Sequence, residues 1–128
     1  MNAKRSLLLI SPAILAMALD AGLTLRGQGA EFWSGQFGTA AEATRTAASF
    51  LSQGPLIFLT FVIGYALVCL APAFVVGLFS TRAATIFVIY LTICHLIGAA
   101  SWLGIFLPGG LGAVEVYSIL PALAWFIL

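Results

Sequence analysis

The sequence predicts an all-α integral membrane protein: a single transmembrane domain of four helices, with a short interfacial helix in the first loop. Three observations carry that prediction. Of the 128 residues, 62% are hydrophobic and only 7% are charged, whereas soluble domains carry about 25% charge. The apolar residues fall into four runs, at about 7–25, 55–79, 83–107 and 111–128. Each run is close to the ~20 residues needed to cross about 30 Å of hydrocarbon. The runs are also continuous rather than alternating, which excludes the strands of a membrane barrel. Five dispersed Lys and Arg residues make no phosphate-neutralising track, so nucleic acid is excluded as a partner. The expected partners are the lipid bilayer and either further copies of the chain or other membrane subunits.

The first run follows Lys4 and Arg5 and contains Pro12 and Asp20. Lys4-Arg5, a short apolar stretch and Ala16-Met17-Ala18 also outline a cleavable signal peptide. Pro12 interrupts that apolar stretch, and the run continues past the cleavage point to Leu25, so the first helix is expected to be retained. The outer loop, 26–54, begins with glycines and aromatics. Phe32, Trp33 and Phe37 suit headgroup level there. From Thr39 to Ser52 the alanine-rich composition predicts a short helix capped by Thr39, with Glu42 and Arg45 paired and Ala43, Ala47, Phe50 and Leu51 forming an apolar stripe. Such a helix lies along the membrane surface or forms a lid over a site between the spans.

Pro55 after Gly54 suits a helix start, where its missing N–H costs nothing. Ser80-Thr81-Arg82 forms a turn whose Ser or Thr caps the next helix. Pro108-Gly109-Gly110 ends that helix, and Pro121 falls within the fourth run. Lys4, Arg5 and Arg82 on one side outnumber Arg26 and Arg45 on the other. The positive-inside rule therefore puts the termini in the cytoplasm, and a bacterial inner membrane is the default for so short a chain.

Ionisable groups within the spans are expensive in lipid and therefore informative. Asp20, His95 and Glu115 fall at depths of about 20, 18 and 24 Å from the inner boundary by the helical rise. Tyr65 falls near the same level. Ala13, Ala16 or Met17, Asp20 and Thr24 form a small, partly polar stripe on the first helix; Leu91, His95, Gly98, Ala99 and Trp102 form another on the third. Small residues mark close-packing seams in membranes, so Asp20 and His95 are candidates to face each other. A carboxylate beside an imidazole fixes its tautomer, and the available chemistry is a proton relay, a general base or part of a metal site. Each residue also has a structural reading: Asp20 wetted or paired to Arg26, His95 holding the bundle by a hydrogen bond, Glu115 at a helix start. Asp20, His95 and Glu115 are weak metal-ligand candidates without diagnostic spacing; Glu42 would join a site covered by the loop. Cys69 and Cys94 are read as small apolar packers at different depths. Gly27-Gln28-Gly29 lacks the strand and glycine-rich surroundings of a nucleotide loop.

His95-Leu96-Ile97-Gly98 and Ala99-Ala100-Ser101-Trp102 resemble, over one helix, the His-bearing helix of rhomboid-type intramembrane proteases. The chain departs from that family in lacking a glycine-flanked serine nucleophile motif and in having too few spans, so its activity is not carried over. Four short helices leave little expected interior volume, and Phe58, Phe61, Phe74, Phe79, Phe87, Trp125 and Phe126 supply aromatic surface for lipid or partner helices. The first expectation is thus an accessory or assembly component of a membrane complex. The alternatives are a proton, ion or small-solute transport unit using Asp20 and His95, and a small membrane enzyme acting on a hydrophobic substrate.

Overall fold

A computed structural model describes residues 3–42 and 44–106. The fourth run at 111–128, with Glu115, Pro121 and the Pro108-Gly109-Gly110 turn, lies outside the described residues. The described chain is all-helical. Helices α1 (Ala3–Arg26), α4 (Pro55–Phe79) and α5 (Thr81–Phe106) are long and apolar enough to cross a membrane. Between α1 and α4 lie the short helices α2 (Ala30–Trp33) and α3 (Arg45–Leu51), with a 3-10 turn at Phe37–Thr39.

Local chemistry explains the helix boundaries and their continuity. Helix α1 starts earlier than its apolar run, so Lys4 and Arg5 lie within its first turns rather than before it. It also runs through Pro12. A proline removes the N–H that would bond the carbonyl four residues back, here that of Leu8; the Ser11 hydroxyl donates to this carbonyl at 2.9 Å. Pro55 occupies the first turn of α4, and Gly54 before it adopts φ +115°, a left-handed conformation that glycine enters without strain. Helix α4 then continues through Pro72. At the α4–α5 turn, the Ala83 amide donates to Ser80 Oγ over a long 3.4 Å and the Ala84 amide donates to the Ser80 carbonyl at 3.1 Å.

The order of contacts sets the helix directions. Ile10, Ala13 and Met17 of α1 pack with Val88 and Leu91 of α5, Asp20 meets His95, and Gly27 lies under the Trp102 ring. Contacts climb together, so α1 and α5 run parallel, and they form the most extensive helix pair. Leu70 and Ala73 of α4 join the low cluster whereas Phe58 joins Ala21 higher up, so α4 is antiparallel to both. The seam is built from small side chains: Ala13, Ala16, Ala84 and Ala99 are all buried, which permits close approach without a hydrophobic drive between helices in lipid.

The loop differs from expectation in three respects. Phe32 is fully buried rather than at headgroup level; it packs with Ala21, Leu51 and Phe58, and its ring meets those of Trp33 and Phe37 edge-on. The second helix of the loop begins at Arg45, not Thr39. Its physical reason is Gln28, whose buried side chain donates to the Ala41 carbonyl at 2.9 Å and accepts the Ala41 amide at 2.8 Å. Both peptide groups are thereby withheld from a helix. Thirdly, Glu42 precedes α3, where its Oε1 accepts the Thr44 amide and hydroxyl at 3.0 and 2.8 Å, instead of sitting one turn before Arg45 on a helix. Leu51 and Ala47 do pack inward on α4, and Phe50 stacks on Phe61 with ring centroids 4.3 Å apart.

Candidate functional site

Above the packed layer of Ile10, Met17, Leu70, Val88 and Leu91, residues of the three long helices and the loop line a cleft of about 500 Å³. This overturns the expectation of a bundle without interior room. The loop contributes Glu42, Thr44, Thr46 and Ala47 to the lining of the cleft. Asp20 lies nearly one turn beyond Met17, and His95 one turn beyond Leu91, so the same helix faces that pack lower down carry the polar groups here.

His95 Nδ1 and Asp20 Oδ2 are 2.8 Å apart. That is the length of a charge-assisted hydrogen bond. With Asp20 ionised, Nδ1 must carry the proton and donate it, which leaves Nε2 of a neutral ring as an acceptor. The side chains retain 18% (His95) and 23% (Asp20) of their exposure, and both line the cleft. The pair is therefore reachable by solute or water rather than sealed in the seam.

Gly98, one turn beyond Asp20's partner, allows this approach. A Cβ at that position would lie 2.7 Å from Asp20 Oδ1 and 2.8 Å from Oδ2, well inside contact distance. Any side chain there would force the carboxylate to shift from its present position.

An aromatic ribbon leads from the loop to the pair. Phe50 stacks on Phe61, Phe61 on Tyr65 with centroids 6.1 Å apart, and Tyr65 meets the His95 ring edge-on at 5.8 Å. Phe58 and Trp102 complete the apolar walls, while Glu42, Thr44 and Thr46 line the loop side. Ser101 also faces the cleft, but its hydroxyl donates to the Gly98 carbonyl at 2.6 Å, a local bond that does not involve the imidazole.

Of the residues singled out from the sequence, Asp20, His95, Tyr65 and Glu42 thus line one cleft, and Glu115 lies outside the described residues. Asp20 is bonded to His95 rather than set aside at a wet helix end. Among the described residues no three His, Cys, Asp or Glu side chains come together as a metal-ligand set. Cys69 and Cys94 are free thiols. Phe58 and Phe61, read from the sequence as lipid or partner surface, are cleft walls instead. Their spacing with Val62 and Tyr65, at i, i+3, i+4 and i+7, was the available signal for one shared face. Gln28 carried no such signal, because its partner lies thirteen residues away.

Among the described residues, fold and cleft together define a helical protein with three membrane-length helices and a polar pair lining an apolar-walled cavity. Comparison with protein-family models, curated proteins and solved structures finds no match for the chain.

Proposed function

We propose that the chain is a membrane-embedded unit that binds a small solute in this cleft and exchanges a proton through Asp20 and His95, as proton-linked transport requires. One observation carries the reading: the 2.8 Å Asp20–His95 pair lines a cleft of about 500 Å³. A cavity of this size suits a small molecule. Apolar walls accept its body, and a carboxylate–imidazole pair is a group able to hold and release a proton. The packed layer below the pair supports a one-sided arrangement, open toward the loop and shut toward the α4–α5 turn. Little expected interior volume is one ground for the accessory reading, and the cleft of about 500 Å³ supports the solute-binding reading instead.

In this proposal Lys4, Arg5 and Arg82 mark the cytoplasmic face of a bacterial inner membrane. The cleft then opens outward beneath the 26–54 segment, and 111–128 forms a fourth span.

The test uses the full chain in phosphatidylcholine vesicles loaded with a pH-sensitive dye, challenged with gradients of small amphipathic amines, acids and alcohols. Wild-type protein should move protons with at least one class, and Asp20→Asn and His95→Gln should each reduce that flux at least tenfold. Unchanged flux in both variants, or no solute-linked proton movement in the wild type, overturns the reading. Copurification with a larger complex in mild detergent, combined with absent flux, would point back to an accessory role.

A further inference from the structure

The charge and ring content of the cleft identify a class of solute, an inference that rests on the solute-binding reading above. Two carboxylates line the cavity, Asp20 and Glu42, together with the imidazole of His95, and no Lys or Arg belongs to the described lining. With His95 neutral the lining carries two negative charges; with His95 protonated it still carries one. The balance stays negative in either state. Glu42 accepts the Thr44 amide and hydroxyl through one oxygen, and among the described residues it forms no ion pair, so its charge is held at the loop side.

The walls between these carboxylates are aromatic: Phe58, Phe61, Tyr65 and Trp102. Ring faces carry negative quadrupole density and attract cations, most strongly where water is excluded. Low-dielectric walls also focus the field of a single-sign cleft. An anionic solute would meet two carboxylates and no lining cation, and a neutral one would leave their charge unused.

We propose that the cleft takes an organic cation, an amine or quaternary ammonium on an aromatic or bulky apolar body. Its charged head lies between Asp20 and Glu42, and its body lies against the aromatic ribbon. A protonated amine binding here would compete with His95 for Asp20, which couples solute occupancy to the proton on the imidazole.

Equilibrium dialysis against the full chain in phosphatidylcholine nanodiscs, corrected for empty nanodiscs, tests this with three probes of matched body. They are benzyltrimethylammonium, its neutral carbon isostere neopentylbenzene, and benzenesulfonate. The ammonium should bind at least tenfold tighter than either of the others. Asp20→Asn should weaken it at least tenfold. Glu42→Gln, on a loop segment outside the helix seam, should weaken it about threefold to tenfold with unchanged helical content, so a folding defect in the first variant does not decide the outcome. Equal binding of the neutral isostere or the sulfonate overturns the cation assignment and leaves the cleft as a solute site. Ammonium binding unaffected by both substitutions overturns it as well. If none of the three binds, the cation assignment fails, and the vesicle experiment then decides separately whether the cleft serves any solute.

Discussion

The two halves of the helical bundle use the same three helices for opposite ends. Toward the α4–α5 turn, Ile10, Ala13, Met17, Leu70, Ala73, Val88 and Leu91 close into a packed layer. Toward the loop, α1 and α5 stay in contact through Asp20, His95 and Gly98, while Asp20, His95, Tyr65 and Glu42 line open space. The difference lies in what fills the gap. In the lower half, alanines on α1, α4 and α5 let the backbones approach. In the upper half Phe32 and Leu51 of the loop pack with Ala21 of α1 and Phe58 of α4, and the polar pair lines the cleft.

Substitutions in the two halves should separate stability from solute handling. Leu91→Ala, in the closed layer, should cause the largest loss of stability, about 2–4 kcal/mol from lost contacts and the residual cavity. Reversible unfolding in mixed micelles would measure it. Solute-linked proton flux in the surviving folded fraction should be unchanged; a flux defect as large as that of Asp20→Asn would break the division between halves.

Gly98→Ala should cost less, about 1–3 kcal/mol through overpacking, yet disable the upper half. The added methyl cannot coexist with the carboxylate where it stands, so the carboxylate must shift and the Asp20–His95 bond should open. Imidazole nitrogen chemical shifts would report the loss of the Nδ1 hydrogen bond, and retention of the wild-type shifts would show that Gly98 does not hold the pair in place.

Gln28→Leu strips the Ala41 amide and carbonyl of their partners. Unsatisfied groups of this kind cost about 1–3 kcal/mol when buried; the site here is only partly buried, so about 1 kcal/mol is expected. Hydrogen exchange should accelerate at Ala41 and around Glu42 while the closed layer stays protected. Uniform acceleration across α1, α4 and α5 would mean that the strap and the bundle form one cooperative unit.

The smallest effect should have the opposite sign. Ser6, in α1 near the closed end, has a fully buried hydroxyl with no hydrogen-bond partner among the described residues. Ser6→Ala removes that unmet group and should stabilise the protein by up to about 1 kcal/mol without touching flux. A destabilised variant in the same unfolding assay would reveal a bond that this hydroxyl makes.

The sequence by itself determined the helical class and the approximate extents of the three long helices found among the described residues. Those properties depend on local composition, run length and punctuation such as Gly54-Pro55 and Ser80, each readable within a few residues. It also isolated Asp20 and His95, because ionisable groups are conspicuous in an apolar run, and helical periodicity placed each on a stripe of small residues. Only the tertiary structure decided that the two stripes meet in register, which depends on α1 and α5 running parallel although α4 separates them in the chain. The loop was equally out of reach. Phe32 read as surface and Gln28 read as linker, since burial and the clamp on Ala41 require segments distant in sequence to come together. The cleft itself is a property of that arrangement: no run of residues encodes it, and its lining is drawn from α1, α4, α5 and the loop.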